Sequence, residues 1–456
     1  MADAAVINTI EGFKEKLFKA AREKGFADYE LYYVKGSSFS VDIFEGEVKE
    51  YTNAGESGLS FRGTWKGKMG YAFSERLGDD VIPFLLDNAA GNAEIIEDPD
   101  LEELFAGSPA YPGVKTWDEG LAMVPAADKI ATALSLEKAA KERDPRVQSV
   151  DYCQLTTGEG ERYIANSRGL HLAEKSNGAG MYAFARVQGE DGQVKMGGDS
   201  WQGKDLAAYD AAALGRRAAD IALSCLGAES VPTGQYRVTF SRDAMEALLG
   251  TFAGVFSAES VQKGFSLLKG KTGEKIAGDC VSIRDDPLLD QKPGSAGFDS
   301  EGVAAKNKAV VENGVLKTYL HNRKTARKDG VEPTGNGFKA SFKASLGISP
   351  TNFYIVPSEK TLEALLAEMG GGLIITGLEG LHSGANPVSG DFSLSAEGFL
   401  VEAGKKGRAV EQIVVAGNFF TLLKDILAVG NDARFESRVS SPCVYVRQLS
   451  VAGQSA

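Results

Sequence analysis

The chain has 456 residues, of which 43% are hydrophobic and 25% are charged, values that are ordinary for a soluble globular protein of two or three domains. Its formal net charge of −12 argues against a general binder of nucleic acid or of anionic membranes, since either would need a basic field. No apolar run approaches the roughly 20 residues of a membrane span, and the first residues lack a signal-peptide pattern, so a cytoplasmic protein is expected.

Residues 1–95 predict a helix followed by an antiparallel meander. Apolar residues from Val6 to Ala21 recur at helical spacing, and Gly25 is placed to end that helix. The residues from Asp28 to Ser74 read as short strands, and a helix over Asp79–Ala90 closes the module. The expected turns are at Lys35-Gly36, Glu45-Gly46, Gly55 and Lys66-Gly67.

Residues 96–125 contain several prolines with little periodicity, and they are interpreted as a linker. A second α+β module is predicted at 126–232. Its helices are expected at Ala126–Arg143 and Asp205–Leu226, with Gly227 after the second. Its strands are expected at Val150–Thr157, Glu161–Asn166, Leu170–Lys175, Gly180–Val187 and Gln193–Ser200.

Residues 233–456 mix strands and helices without regular βαβ alternation. A strand at Tyr236–Phe240 and a helix at Asp243–Phe256 are predicted first. Later elements are strands at Val281–Arg284, Leu373–Thr376, Phe392–Ser395 and Gln412–Ala416 and a helix at Asn418–Leu427. The predicted class is α+β, with antiparallel β-meanders and flanking helices in the N-terminal half and a mixed α+β C-terminal domain.

The stretch Phe298–Asn336 is the most informative part of the chain. Lys308–Val311 and Val315–Leu320 are β-prone, and Asn313-Gly314 between them tolerates the positive φ of a hairpin turn. The basic segment that follows, Arg323–Lys328, is interpreted as a solvated face. Glycines and a proline then disfavour helix and indicate a shaped loop.

A search for catalytic motifs finds none of the common ones. The only histidines, His171, His321 and His382, lie far apart and form no HExxH, and neither a nucleophile elbow nor a P-loop occurs. Asp285, Asp286 and Glu301 are candidate ligands for Mg²⁺ or Ca²⁺, although isolated surface carboxylates are the favoured reading. The scattered cysteines are expected to be buried free thiols of a reducing compartment: Cys153, Cys225, Cys280 and Cys443.

Several motifs in order resemble the TldD/PmbA family across nearly the whole chain. They are Asn307–Leu320 with the loop from Gly330 to Gly337, the GANPVSGDFS motif from Gly384 with the GFLVE motif from Gly398, the late Val415 and Val429 runs, and the ending at Leu449. The resemblance implies one of two branches that pair as a heterodimer. The TldD-like branch is a zinc metalloprotease with an HExxxH helix, and the PmbA-like (TldE) branch lacks that motif.

The resemblance places the two metal-binding histidines of the catalytic branch at Leu249 and Gly254, and its glutamate at Gly250. None of these side chains can bind a metal or activate water. The family's cysteine ligand likewise has no counterpart just after Asn431-Asp432. The chain therefore resembles the PmbA-like branch, with no metal or catalytic residue of its own and with zinc expected in its partner.

The leading hypothesis is a non-catalytic partner of a TldD-like metalloprotease acting on unfolded or extended peptides, with no role in nucleic-acid or membrane binding. The residues predicted to face the peptide chamber or the interface are Thr334, Gly335, Asn336, Gly337, His382 and Asn386; the alternative for both loops is a simple tight turn. A second hypothesis is a non-enzymatic regulator that acts by protein binding. It follows from the link of the family name to DNA gyrase modulation and toxin–antitoxin systems. A third is a homodimeric hydrolase with a cryptic metal site around His321 and His382.

Overall fold

The structure is a computed structural model that describes residues 4–97 and 103–454. Its N-terminal half forms one antiparallel sheet of six strands in the order β3-β2-β1-β4-β5-β6. The elements are α1 (Ala4–Lys24), β1 (Tyr29–Phe44), β2 (Glu47–Trp65), β3 (Lys68–Ser74), α2 (Ile82–Glu94), α3 (Glu119–Ala122), α4 (Ala126–Lys141), β4 (Val147–Asn166), β5 (His171–Gln188), β6 (Val194–Gly203) and α5 (Ala211–Ser224). Pairing of β1 with β4 makes one sheet of the two predicted meanders.

Two of the four turns predicted in the first meander are wrong. Glu45-Gly46 and Lys66-Gly67 do turn the chain, and all four residues have positive φ. Gly36 and Gly55 instead lie inside β1 and β2, where they pair with Glu56 and Ser37 of the neighbouring strand. A glycine within a strand continues the ladder when a neighbouring strand pairs with it, so glycine by itself did not mark a turn here.

The five short strands predicted in the second meander are three long ones. β4 runs unbroken through Gly158 and Gly160, and each pairs with β1 on one side and β5 on the other. The second long helix is shorter than predicted, because the Asp210 side chain caps α5 by accepting a hydrogen bond from the Ala213 N–H. The helices α1, α2 and α4 begin and end within a few residues of the predicted bounds, whereas α3 was not predicted and lies in the segment interpreted as a linker.

The two faces of the N-terminal sheet have different coverings. Alternate residues of β1, among them Leu31 and Val41, face cores that the helices α1, α2, α4 and α5 complete. On the opposite face, Tyr32 packs with Phe298 and Phe342 from the C-terminal domain. The sheet therefore positions that domain directly on its helix-free side.

The C-terminal domain contains two larger sheets around one core. Its elements are β7 (Gly234–Phe240), α6 (Arg242–Phe252), α7 (Ala258–Gln262), β8 (Ile283–Asp285), β9 (Lys308–Glu312), β10 (Val315–Leu316), α8 (Arg323–Asp329), β11 (Gly337–Lys339), β12 (Leu346–Ile348), β13 (Phe353–Ile355), α9 (Leu362–Met369), β14 (Gly372–Glu379), α10 (Leu381–Gly384), β15 (Asp391–Glu402), β16 (Lys405–Asn418), α11 (Phe419–Asp425), β17 (Ile426–Val429), β18 (Val439–Ser440) and β19 (Val444–Ala452).

The six-stranded C-terminal sheet has the order β16-β15-β14-β7-β19-β17, and a further pairing of β16 with β19 closes part of it into a ring. The second sheet, β10-β9-β8-β13-β18, is mainly antiparallel as well. Only the β7–β14 and β13–β18 pairs are parallel among these described strands. The α+β class predicted from the sequence is confirmed.

One part of the cysteine prediction is wrong. Cys153 and Cys443 are buried free thiols and Cys225 is half-buried, but Cys280 is exposed. Cys280 lies on the loop before β8, where its thiol is near the Ile426 carbonyl. Within residues 4–97 and 103–454, no helix combines the length and the apolar character needed to cross a membrane.

Candidate functional site

The hairpin predicted in the informative segment is present. Asn313 and Gly314 have φ of 48° and 79° between β9 and β10, the conformation that the dipeptide was expected to adopt. A side chain at Gly314 would collide with the Ala277 carbonyl oxygen, 2.4 Å from the ideal Cβ position. β10 has only two residues, because the chain leaves the ladder after Leu316.

The basic segment after the hairpin is a short helix, α8. The Asn322 side chain caps its first turn by accepting a hydrogen bond from the Thr325 N–H, and Gly330 ends it in the left-handed region at φ 68°. Arg327 and Lys328 are exposed, whereas Arg323 is only partly exposed and its guanidinium lies over the Phe105 ring. The predicted solvated face holds for Lys324, Arg327 and Lys328, which are exposed, but not for Arg323, and the helix also lines a cleft.

The glycine loop that follows α8 is exposed at 330–332 and buried at 334–337. Thr334 Oγ1 accepts a hydrogen bond from the His321 N–H at 2.6 Å and donates to Asn336 Oδ1 at 2.7 Å. Asn336, fully buried, donates from Nδ2 to Asp285 Oδ2 at 2.8 Å. Gly335 and Gly337 are buried beside them. These four residues form an internal scaffold, and their prediction as chamber-facing residues stays a prediction.

The acidic residues expected on the surface are buried, which corrects the sequence interpretation. Asp285 is fully buried and forms an ion pair with Lys308 at 2.9 Å. Asp286 accepts hydrogen bonds from the Leu288 N–H and from Asn307 Nδ2. Burial of these carboxylates is tolerated because donors surround them, and spacing along the chain does not reveal those donors.

Two further carboxyl groups, of Asp299 and Glu301, meet at Gly337. An ideal Cβ on Gly337 would lie 2.6 Å from Glu301 Oε2 and 3.2 Å from Asp299 Oδ2. Asp299 accepts hydrogen bonds from the N–H groups of Gly337, Val303 and Glu301. Burial raises the pKa of both groups, and the charge of Asp299 raises the pKa of Glu301 further.

Asp299 was missed in the sequence reading. Its signal was the short Asp-Ser-Glu-Gly run at 299–302, in which one carboxylate can accept N–H groups two and four residues ahead. The Arg323 N–H reaches Glu301 Oε2 at 2.8 Å, so the acid pair and the start of α8 form one unit. Glu301 and the first residues of α8 line the floor of the cleft beside α8, and Asp299 is fully buried.

The cleft has a volume of about 1470 Å³ and separates the N-terminal sheet from the C-terminal domain. Arg62 and Phe73 of β2 and β3 form one wall, and residues 103–110 cover an edge. Glu301, α8 and the segment 342–346 form the opposite side. Arg62 is itself buried in an ion pair with Glu30 at 2.7 Å. The cleft can hold an extended chain, since it exceeds the usual volume of a small-molecule site.

The helix position that the family resemblance assigned to metal ligands is α6 and the 3-10 turn after it. Leu249 is fully buried in the main C-terminal core, whereas Gly250 and Gly254 are exposed. Within 4 Å of an ideal Cβ, Gly250 would meet only Val439, and Gly254 would meet nothing. The side chains of these residues contain no N, O or S atom that could bind a cation, so they do not fit a zinc ion.

One turn before Gly250 on α6, Glu246 accepts a hydrogen bond from Ser437 Oγ at 2.7 Å. Burial raises the pKa of Glu246 to about 7. Within residues 4–97 and 103–454, no three or more His, Cys, Asp or Glu side chains are grouped so that they could hold a metal ion.

The three histidines lie in different surroundings. His321 is buried between β10 and α8, and burial lowers its pKa. His382 is exposed on α10, and Asn386 follows it in a turn where its Oδ1 accepts the Val388 N–H. His171, on β5, hydrogen-bonds Glu11. None of the described hydrogen bonds joins His382 or Asn386 to the loop at Thr334–Gly337.

Comparison with known proteins bears on this architecture. Models of three PmbA/TldA metallopeptidase domains match residues 29–93 (domain 1), 119–226 (central domain) and 233–453 (C-terminal domain). The chain belongs to the PmbA/TldD metallopeptidase family. The family expected from the sequence motifs is thereby confirmed.

Several of the similar proteins carry PmbA or TldE names. A Haemophilus influenzae protein named metalloprotease PmbA homolog is 27% identical over 443 residues, covering 95% of this chain and 94% of that protein. A Thermotoga maritima structure, described as a candidate modulator of a DNA gyrase, is 35% identical with a TM-score of 0.91 and covers 97% of this chain and 100% of its own. TldE from Thermococcus kodakarensis has the same fold, with a TM-score of 0.87, 22% identity, and coverage of 97% and 100%.

Proposed function

We propose that this chain is a non-catalytic partner subunit of a TldD-like zinc metalloprotease that degrades or trims flexible peptides. The observation that carries the proposal is the composition of α6 and its following turn. Where the resemblance places two histidines and a glutamate, this chain has the buried Leu249 and the glycines Gly250 and Gly254. Zinc would then be bound by the partner, and this chain would help to enclose the peptide.

The cleft beside α8 supports a role in peptide handling. Its walls come from both halves of the chain, and its floor is held by the buried hydrogen bonds of Asp299 and Gly337. A preorganised wall of this kind confines a flexible chain without contributing to bond cleavage. The buried loop at 334–337 would fix the position of α8 relative to Asp299 and Glu301.

The direct test is reconstitution. The purified chain, a TldD-like chain from the same genome, and their mixture are each assayed on casein and on an unfolded peptide, with and without a chelator. We expect co-purification of the two chains and chelator-sensitive cleavage by the mixture. The zinc content measured for the complex should be accounted for by the TldD-like chain.

Two results would contradict this proposal. One is chelator-sensitive cleavage by this chain alone, with stoichiometric metal in the purified protein. The other is absence of any complex between the two chains under conditions where both are folded. The first result would favour the homodimeric hydrolase, whose metal site would have to involve His321 or His382.

A second candidate function is regulation of DNA gyrase by protein binding. The supporting observation is the description of the Thermotoga maritima structure as a candidate gyrase modulator, at 35% identity. A pull-down with this chain as bait distinguishes the two functions. Capture of gyrase subunits without a TldD-like chain would favour regulation, and the reverse result would favour the protease partnership.

A further inference from the structure

The cleft beside α8 differs in charge from the rest of the molecule. The whole chain has 50 Lys and Arg residues against 62 Asp and Glu. Among the described residues that line the cleft, eight are Lys or Arg, four are Glu and none is Asp. An acidic protein therefore has a concave surface with twice as many cationic as anionic residues.

Members of both charge sets are already engaged with the protein: among the cleft cations, Arg62 pairs with Glu30 and Lys343 pairs with Glu75. Glu259 pairs with Lys263 at 2.6 Å, and Glu301 lies buried with the Arg323 N–H on its Oε2. Two exposed cations on α8, Arg327 and Lys328, are not matched in this way. In the part of the chain that the structure describes, Arg327 and Lys328 have no ion-pair partner and both face solvent at the cleft.

The cations at this wall also repel one another. Burial lowers the pKa of Arg323, the carboxylates of Glu301 and Glu103 raise it, and the charges of Arg62 and Arg327 lower it. A bound anion would relieve this repulsion, and the low-dielectric walls of a cleft strengthen its attraction. The geometry and the charge both favour an anionic ligand.

The other lining groups favour a peptide as the source of the negative charge. Phe73, Phe105 and Phe342 contribute aromatic surface to the same cleft, which suits the apolar side chains of a polypeptide. A nucleic acid would bring many phosphates towards a molecule of net charge −12, which opposes binding beyond the cleft. The carboxylates of an extended peptide can contact the cations of the cleft without extending over the acidic surface outside it.

We propose that this cleft binds extended peptides rich in Asp and Glu, with Arg327 and Lys328 of α8 as the main contacts for their carboxylates. The inference rests on the proposed function, in which the assembly acts on peptides, and it adds the class of peptide that this subunit selects. Acidic substrates would be concentrated at the cleft by electrostatic attraction.

Binding to the full chain is measured by fluorescence anisotropy with three labelled, unstructured peptides of equal length. They carry Glu, Gln or Lys at the same positions. We expect the Glu peptide to bind roughly tenfold more tightly than the Gln peptide at low salt, and its advantage to shrink as salt is added. The Lys peptide should bind most weakly.

The matched variants remove two exposed cations each. Arg327→Gln with Lys328→Gln should reduce binding of the Glu peptide to the level of the Gln peptide. Lys405→Gln with Lys424→Gln makes the same change of net charge on exposed residues that do not line the cleft, and should retain binding. Arg327→Lys with Lys328→Arg keeps both charges and should also retain it, and unfolding curves establish that all variants are folded.

Equal affinity for the Glu and Gln peptides would overturn the inference while leaving peptide binding, and the proposed function, intact. Equal loss in the two charge-removing variants would also overturn it, since net charge and not the cleft would then be responsible. Displacement of the Glu peptide by oligothymidine at lower concentration than by unlabelled Glu peptide would assign the cleft to nucleic acid. Failure of the proposed function is read separately, from the absence of a complex with the TldD-like chain.

Discussion

The buried network around Asn336 and the exposed turn of α6 at Gly250 and Gly254 lie in the same domain but differ in their side-chain chemistry. The network joins Asp285, Lys308 and Asn336 by charged and neutral hydrogen bonds away from solvent. The α6 surface has room and exposure but no polar side chain at either glycine. The polar side chains of the network are therefore buried, whereas the exposed glycine positions carry no polar side chain.

The difference indicates what each region contributes. The network is costly to disturb because it contains buried charges whose partners are each needed. Substitutions on the α6 surface should change the free energy of unfolding little, because no atom packs closely on its glycines. This distribution is what a subunit that shapes a cleft, and leaves cleavage to a partner, would need.

The largest effect is expected from Asp285→Ala. The change leaves the buried Lys308 ammonium without its anion and the Thr351 N–H without its acceptor. It also removes one of the two acceptors of Asn336 Nδ2, which keeps only the Ser349 carbonyl. Removing one member of a buried ion pair costs about 3–5 kcal/mol in the free energy of unfolding. Denaturant unfolding followed by tryptophan fluorescence measures the loss.

The control for this variant is Glu312→Ala on the same hairpin. Glu312 pairs with Lys317 at 3.3 Å on the surface, where both side chains are about half exposed. Such a pair contributes roughly 0–1 kcal/mol. Equal losses for the two variants would show that the buried network does not differ from the surface in the way described.

A smaller loss is expected from Gly337→Ala. The added methyl group would lie 2.6 Å from Glu301 Oε2, so the acid pair or β11 must shift. Overpacking of this kind costs about 1–3 kcal/mol. Gly347→Ala on the paired strand β12 is the control, since its nearest atom is 3.8 Å away and its effect should stay within about 0.5 kcal/mol.

The pH dependence of stability separates the two regions in another way. The pKa of Glu301 is raised by burial and by Asp299, so the folded state holds its proton more tightly than the unfolded state. This contribution is fully present below the ordinary Glu pKa of 4.5 and is lost as the pH rises towards and through neutrality. The free energy of unfolding should fall less steeply over that range in Glu301→Gln.

Urea denaturation at a series of pH values measures the slope. Glu312→Gln, at an exposed position on the hairpin, is the control and should leave the slope as it is in the parent protein. Glu246 on α6 also has a raised pKa, because of burial, and contributes in the same direction. The Glu301 variant should therefore reduce the slope without abolishing it, and an unchanged slope would contradict the assignment.

The smallest effect, and the only gain, is expected from Gly250→Ala. The position is an exposed helix interior, and its nearest neighbour, Val439 Cβ, is at an ordinary contact distance of 3.9 Å. Alanine there should stabilise the protein by about 0.5–1 kcal/mol, because glycine loses more backbone entropy on folding. A rise in melting temperature checks this prediction. Destabilisation would mean that an added methyl group at Gly250 meets more steric constraint than the distance to Val439 indicates.

Local features of the chain were predictable where the physics is local. The Asn313-Gly314 hairpin turn needs positive φ at both residues, and that requirement is visible in the two residue types. The helices α1, α2 and α4 were marked by apolar spacing and by a proline or glycine at an end. The motifs between Asn307 and Leu449 were sufficient to identify the family.

Features that depend on distant partners were not predictable in this way. Gly36 and Gly55 have the residue type of a turn, but Gly36 pairs with strands on both sides and Gly55 pairs with β1. Asp285 and Glu301 looked like surface carboxylates, because Lys308, Asn336 and Arg323 approach them only in the folded chain. Their burial depends on donors from separate elements.

The sequence by itself therefore determined the family, the α+β class and the residue types at the α6 position, since each is carried by a motif or by the identity of a residue. Only the tertiary structure decided that the Phe298–Asn336 segment has a buried half and a cleft-lining half. The reason is physical: burial and the charge of a cleft are sums over groups from β2, β3, α8 and residues 103–110, which are far apart in the chain.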